Sequence, residues 1–197
     1  MARVVMQAVV SVDGFIAHPD DTVGPLFDWY GNGDVTVRAN DTWSFKVSRA
    51  SAEYVRPFWS DVSCTVIGRH LFDTTDGWKG VPAAGDSLVV ITHRPLPGEW
   101  LARFPEAPFH TAGSVEAGIA LAKELAGDGL VSVTAGDVGG QAFSAGLVDE
   151  VCMDVVPVVL GDGVRFFGGH TGTVLLDDPD AVVQGDRVLH LHYTVKR

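Results

Sequence analysis

Charge is scarce in this sequence, and positive charge scarcer still. Only 20% of the 197 residues are charged, and 14 Lys and Arg stand against 25 Asp and Glu, for a net charge of −11. Such a surface repels a phosphate backbone, which argues against a nucleic-acid partner. It leaves room for a small phosphorylated ligand, which needs only a local positive pocket. Cysteine is nearly absent: Cys64 and Cys152 each sit in an apolar run and read as buried thiols, with no spacing that suggests a disulfide or a metal pair. No apolar run reaches the roughly 18 residues of a membrane span. The first ten residues, M-A-R-V-V-M-Q-A-V-V, lack a long apolar leader core and a clear cleavage site, so a cytoplasmic protein is expected. There is no internal repeat, low-complexity segment or linker. One domain over residues 1–197 is the expectation, and 46% hydrophobic residues can give it a sizeable core.

What is present is an alternation of strands and helices. Residues 3–12, R-V-V-M-Q-A-V-V-S-V, are apolar almost throughout, as suits a central strand buried on both faces. Residues 18–47 read as a long loop carrying Phe27, Trp29, Tyr30, Trp43 and Phe45, and a loop of that length in a compact domain is usually functional. Ser48 caps a helix over 48–59 that Pro57 should end or kink. Strands follow at 62–67, 87–92 and, more briefly, 108–112. Ser114 caps a helix through Ala126, with Ala117, Ala120, Leu121 and Leu125 on one face and Gly127 as its stop. A strand at 130–134 precedes a helix at about 139–147 and a long strand at 149–160. The tail reads as a hairpin around Gly185-Asp186. Strand–helix alternation in front and strands alone behind give a mainly parallel α/β sheet with an antiparallel C-terminal edge.

Three strand ends carry candidate chemistry. Residues 135–143, A-G-D-V-G-G-Q-A-F, hand a strand over to a helix, and glycines there let an anion touch the backbone at a helix start. The spacing is not G-x-G-x-x-G and the strand is not the first, so an ordinary dinucleotide fingerprint is not supported. Gly68-Arg69-His70 follows a second strand and Thr92-His93-Arg94 a third. Ligands in open α/β sheets sit outside the carboxyl ends of strands, and two arginines there in an acidic protein suggest a local anion site. His190 and His192 alternate along the last strand; with no third ligand in view they read as an exposed strand face, and no metal site is expected.

In chain order, S-V-D-G-F-I-A at 11–17, V-I-G-R-H-L-F-D at 66–73, V-I-T-H-R-P at 90–95, A-G-D-V-G-G-Q-A-F-S-A-G-L-V-D-E at 135–150 and V-P-V-V-L-G-D-G-V-R-F-F at 156–167 resemble the dihydrofolate reductase-like superfamily. The branch resembled is the reductase domain of the riboflavin-pathway deaminase–reductase and its stand-alone bacterial relatives. The resemblance implies a three-layer α/β/α fold and an NADPH-dependent oxidoreductase that reduces a small heterocyclic substrate, such as a pterin or a pyrimidine flavin precursor. The alternative is an NADP(H)-binding module without turnover. By the same resemblance, Gly68 and Arg69 lie beside the adenosine 2′-phosphate, and Thr92, His93 and Arg94 flank the same half of the cofactor. Gly136, Asp137, Val138, Gly139 and Gln141 hold the pyrophosphate. Asp13 resembles the acidic residue that faces the substrate, as a catalytic and substrate-binding group; as residues alone, Asp13-Gly14 reads equally well as a turn. Phe27, Trp29 and Trp43 would then cover a flat substrate ring. The resembling domains pair, so a homodimer is expected. Two departures matter. No acid matches the pterin-binding one of true dihydrofolate reductases, since the position falls near Ala52 with Glu53 one off, and the zinc signature of the deaminase half is absent.

Overall fold

The computed structural model describes residues 2–196. In chain order its elements are β1 (Arg3–Ser11), β2 (Phe15–Ala17), a 3-10 helix (Gly24–Gly31), β3 (Val35–Arg38), β4 (Ser44–Val47), α1 (Arg49–Asp61), β5 (Val62–Gly68), α2 (Arg69–Thr74), a helical turn (Asp76–Gly80), β6 (Ser87–Ile91), α3 (Gly98–Arg103), β7 (Phe109–Ala112), α4 (Val115–Ala126), β8 (Leu130–Thr134), α5 (Asp137–Ser144), β9 (Glu150–Val156), β10 (Val164–Arg165), β11 (Ala181–Gln184) and β12 (Leu189–Thr194). Eight strands form one sheet in the order β11-β12-β9-β1-β8-β5-β6-β7. From β9 to β7 every pairing is parallel, while β12 joins β9 and β11 antiparallel. This is the α/β/α architecture with a mainly parallel sheet and an antiparallel C-terminal edge.

Side-chain alternation divides the core. Val4, Met6 and Val10 of β1 pack with Val66, Val89, Val131 and Val133 against Val115, Ile119 and Ala122 of α4 and Val138 and Ala142 of α5. Val9 points the other way, into a cluster with Ala52, Val55 and Trp59 of α1. A third cluster joins Ile67, Leu88 and Val90 to Phe72 and Trp100.

Four expectations are corrected. Residues 18–47 are not a loop: the 3-10 helix and the β3–β4 hairpin pack on α1, with Leu26, Trp29, Val37 and Val47 all buried. The helix at 49–61 runs through Pro57 to Asp61, with Ser48 Oγ accepting from the Ser51 N–H as its cap. The buried face of α4 is Val115, Gly118, Ile119, Ala122 and Ala126, leaving Leu125 exposed; Gly118 lies where a Cβ would sit 2.1 Å from Ile91, so α4 is turned to bring its smallest residue against β6. His190 is fully buried rather than on an open strand face: Nδ1 meets Asp154 Oδ1 at 2.5 Å, Nε2 meets Ser51 Oγ at 2.9 Å, and Tyr54 stacks on its ring.

Residues 76–80 hold a conformation with no sequence forecast. All five have positive φ, from 44° to 83°, although Asp76, Trp78 and Lys79 are not glycine. Such left-handed backbone costs an L-residue about 1–2 kcal/mol. It is held by the Trp100 indole N–H donating to Asp76 O at 2.9 Å, by the Arg103–Asp76 ion pair, and by Gly77, where a Cβ would lie 2.7 Å from Phe72.

Candidate functional site

Because β1, β8, β5 and β6 run parallel, their carboxyl ends emerge on one side of the sheet. Asp13, Gly136-Asp137, Gly68-Arg69 and Thr92-Arg94 therefore share one edge of the molecule. Between β5 and β6 lies an open cavity of about 380 Å³ lined by Arg69, His70, Asp73, Ile91, Thr92, His93 and Arg94.

The two arginines differ. Arg69 is tied down: Nε donates to Asp73 Oδ1 at 2.7 Å, and NH1 donates to Pro95 O at 3.0 Å and to Arg94 O and Thr92 Oγ1 at 3.4 Å. Its side chain is only 16% exposed. Arg94 is 70% exposed and, among the described residues, its guanidinium makes one hydrogen bond, NH2 to Asp73 Oδ2 at 3.2 Å. Arg69 thus fixes the 92–95 turn onto α2, and Arg94 is the guanidinium open to a ligand. Thr92 Oγ1 closes the turn by donating to Arg94 O at 2.8 Å, and His93 stands exposed beside it. Next to Arg69, His70 Nε2 meets Asp21 Oδ2 at 2.8 Å, which pins the 18–22 segment to the start of α2.

At the end of β8 the glycines answer to packing. Gly136 has φ +97°, its N–H donates to Phe166 O at 2.8 Å, and Gly168 lies so close that a Cβ on it would meet Gly136 O at 2.5 Å. A Cβ on Gly139 would lie 2.6 Å from Thr134 O and 2.9 Å from Met6 Sδ; one on Gly140 would lie 2.1 Å from Phe167 O. Val138 is buried, with Gly68 against it. The side chains thin out here so that α5 can lie against β1 on one side and the 166–168 turn on the other. The opening N–H groups of α5 still have no partner within the helix. Asp137, exposed in the first turn, accepts from Gln141 Nε2 at 2.9 Å.

Asp13 is exposed and accepts three hydrogen bonds from the protein. Oδ1 accepts from Ser11 Oγ at 2.6 Å and from the Leu160 N–H at 3.1 Å, and Oδ2 accepts from the Gly161 N–H at 2.7 Å. The Ser11 hydroxyl above all, with these backbone donors, holds its pKa below the usual carboxylate range. Its position ties the turn after β1 to the loop after β9. None of its partners is one of the expected aromatics.

Those aromatics separate. Trp29 is 1% exposed, between Tyr30 (centroids 4.4 Å) and the edge of His190 (5.1 Å). It is a core residue rather than cover for a ligand, because α1 and the hairpin close over it. Phe27 is exposed and stacks on Tyr30 at 5.3 Å. Trp43 is half-buried at the tip of the β3–β4 hairpin, which reaches residue 82 through Asn40 Nδ2 donating to Pro82 O at 2.9 Å; its indole N–H is buried with no partner among the described residues. Sequence reading missed Asp73 and Asp21. Asp73 lies four residues past Arg69 on a helix, a spacing that by itself suggests the i,i+4 pair.

No protein-family model matches this chain, and no curated protein matches it. Solved structures do. A protein of Shewanella sp. PV-4 assigned provisionally to riboflavin biosynthesis superposes with a TM-score of 0.66 at 20% identity, with both chains covered in full. RibD of Acinetobacter baumannii matches with a TM-score of 0.62 at 14% identity over 100% of this chain and 58% of its own. A pyrimidine reductase-like protein of Corynebacterium diphtheriae matches at 0.60 and 15% identity over 100% of this chain and 92% of its own. The chain has a dihydrofolate reductase-like fold. It shares that fold with these proteins, and it spans somewhat over half the length of RibD.

Proposed function

We propose that the chain is an NADPH-dependent reductase that transfers a hydride to a small heterocyclic substrate, a pterin, a pyrimidine flavin precursor or a similar ring. The observation that carries this reading is the convergence of three neighbouring strand ends: the exposed Arg94 guanidinium, the Thr92–Pro95 turn locked by Arg69, and the start of α5, whose opening N–H groups have no partner within the helix. The residues fit the cofactor's anionic half, because a guanidinium with free donors suits a 2′-phosphate and a helix start suits a pyrophosphate. When bound, the nicotinamide supplies the hydride. The chain's own part is positioning: Arg94 and Thr92–His93 at the adenosine end, Gly136–Gly139 at the diphosphate. The likeness to a pyrimidine reductase-like protein supports the substrate class. A homodimer belongs to the same reading, and sedimentation velocity checks it.

Calorimetric titration with NADPH and NADH is the direct test, followed by NADPH oxidation with a panel of pterin and pyrimidine substrates. Tighter binding of NADPH and turnover with one ring class are expected; equal affinity for the two cofactors would remove the 2′-phosphate assignment. A second reading, an NADP(H)-binding module without turnover, is favoured by Asp13. Its carboxylate is engaged by three hydrogen bonds from the protein itself rather than held toward an open cleft. Intact NADPH binding with no oxidation across the panel would select it.

A further inference from the structure

We propose that Asp73 is a specificity residue of the β5–β6 pocket, its carboxylate competing with a ribose 2′-phosphate for the Arg94 guanidinium. The inference rests on the reading of this pocket as the adenosine end of the cofactor site.

One carboxylate serves two guanidinium groups here. Asp73 Oδ1 accepts from Arg69 Nε at 2.7 Å and Oδ2 from Arg94 NH2 at 3.2 Å. The first is a charge-assisted bond of ordinary length; the second is longer than the roughly 2.7–2.9 Å such bonds reach. Arg69 is committed to backbone carbonyls of the 92–95 turn and is largely covered, so Arg94 is the more accessible guanidinium for a ligand charge. Asp73, 39% exposed and in contact with Arg94, lies in the field that charge enters.

Two consequences follow. An exposed Arg–carboxylate pair is weak, so a phosphate can take Asp73's place on Arg94 at little cost. The carboxylate nonetheless stays anchored to Arg69, one guanidinium away from the phosphate, and repels it. A 2′-hydroxyl suffers no such repulsion, and as a donor it can gain from a carboxylate acceptor. Asp73 therefore narrows the preference for the phosphorylated cofactor. His70 does not offset this, because it already faces Asp21.

The test uses the intact chain and two probes, adenosine 2′,5′-bisphosphate and adenosine 5′-monophosphate, titrated by calorimetry into the wild type, Asp73→Asn and Asp73→Glu. Asp73→Asn should bind the bisphosphate about tenfold more tightly, the monophosphate within about twofold of wild type, and the gain should shrink as salt rises from low to physiological strength. Asp73→Glu, which keeps the charge, should resemble the wild type. Unchanged or weaker bisphosphate binding in Asp73→Asn, with monophosphate binding retained, would overturn the proposal and leave the nucleotide site standing. Failure of every variant to bind either probe would overturn the proposal together with the reading of the pocket.

Discussion

At the β5–β6 end of the strand edge a guanidinium reaches into solvent with one weak contact, and a carboxylate is shared between two cations. At the β1–β9 end the carboxylate of Asp13 has three donors, and the aromatics beyond it stack on one another and on α1. The first arrangement leaves hydrogen-bonding capacity for a ligand. The second has directed most of its capacity to the protein. Polar residues at strand ends are thus not equivalent: what distinguishes a binding group is the number of its donors that the fold has left free.

The sharpest way to break this contrast is in the β1–β9 half. Trp29→Ala removes a fully covered ring from the α1 cluster and should cost about 3–5 kcal/mol of stability in urea melts, with nucleotide affinity of the folded protein unchanged. Loss of substrate turnover without loss of stability or of nucleotide affinity would put Trp29 in the substrate site after all. Gly139→Val should come next, at about 1–3 kcal/mol, because the new side chain meets Met6 and the Thr134 carbonyl. A Gly139→Val protein of wild-type stability would show that the glycine is there for a ligand rather than for packing.

In the β5–β6 half the effects should fall on binding. Arg94→Ala should weaken NADPH by about tenfold and leave the melting temperature and NADH affinity nearly unchanged. Arg69→Ala should weaken both cofactors, because it releases the turn at Thr92–Pro95. Equal responses of the two variants would erase the distinction between the free and the committed guanidinium.

The smallest effect is expected away from both regions. Glu150 accepts from His192 at 2.9 Å and from Arg3 at 2.6 Å, and the His192 contact first lowers its pKa. A carboxyl whose folded pKa lies below its unfolded value adds stability that is full above the unfolded value of about 4.3 and lost as pH falls through the folded one. Acid melts should therefore show Glu150→Gln losing its deficit against wild type below about pH 4. A deficit that persists at lower pH would mean that packing, not charge, is what the substitution disturbs.

Much of this was legible in one dimension. The apolar runs at 3–12, 62–67, 87–92 and 130–134 became strands, within a residue at each end, because β-branched residues with no polar alternation suit a sheet covered on both faces. Ser48 and Ser114 capped helices because their hydroxyls reach the N–H three residues on. Gly68-Arg69 and Thr92-Arg94 came together because parallel strands deliver all their carboxyl ends to one side. These features depend on neighbours in sequence or on strand direction alone. The rest was settled between distant segments. Trp29 could be a lid or a core residue until α1 and the β3–β4 hairpin closed on it. His190 found Asp154 and Ser51 only through the β9–β12 register and the N-terminus of α1. The left-handed 76–80 turn exists because Trp100 and Arg103 hold Asp76 from 24 and 27 residues away. Which arginine stayed free was decided by the carbonyls of the 92–95 turn. A sequence states what each residue can donate or accept; the tertiary structure alone decides which of those bonds the protein makes with itself and which remain for a ligand.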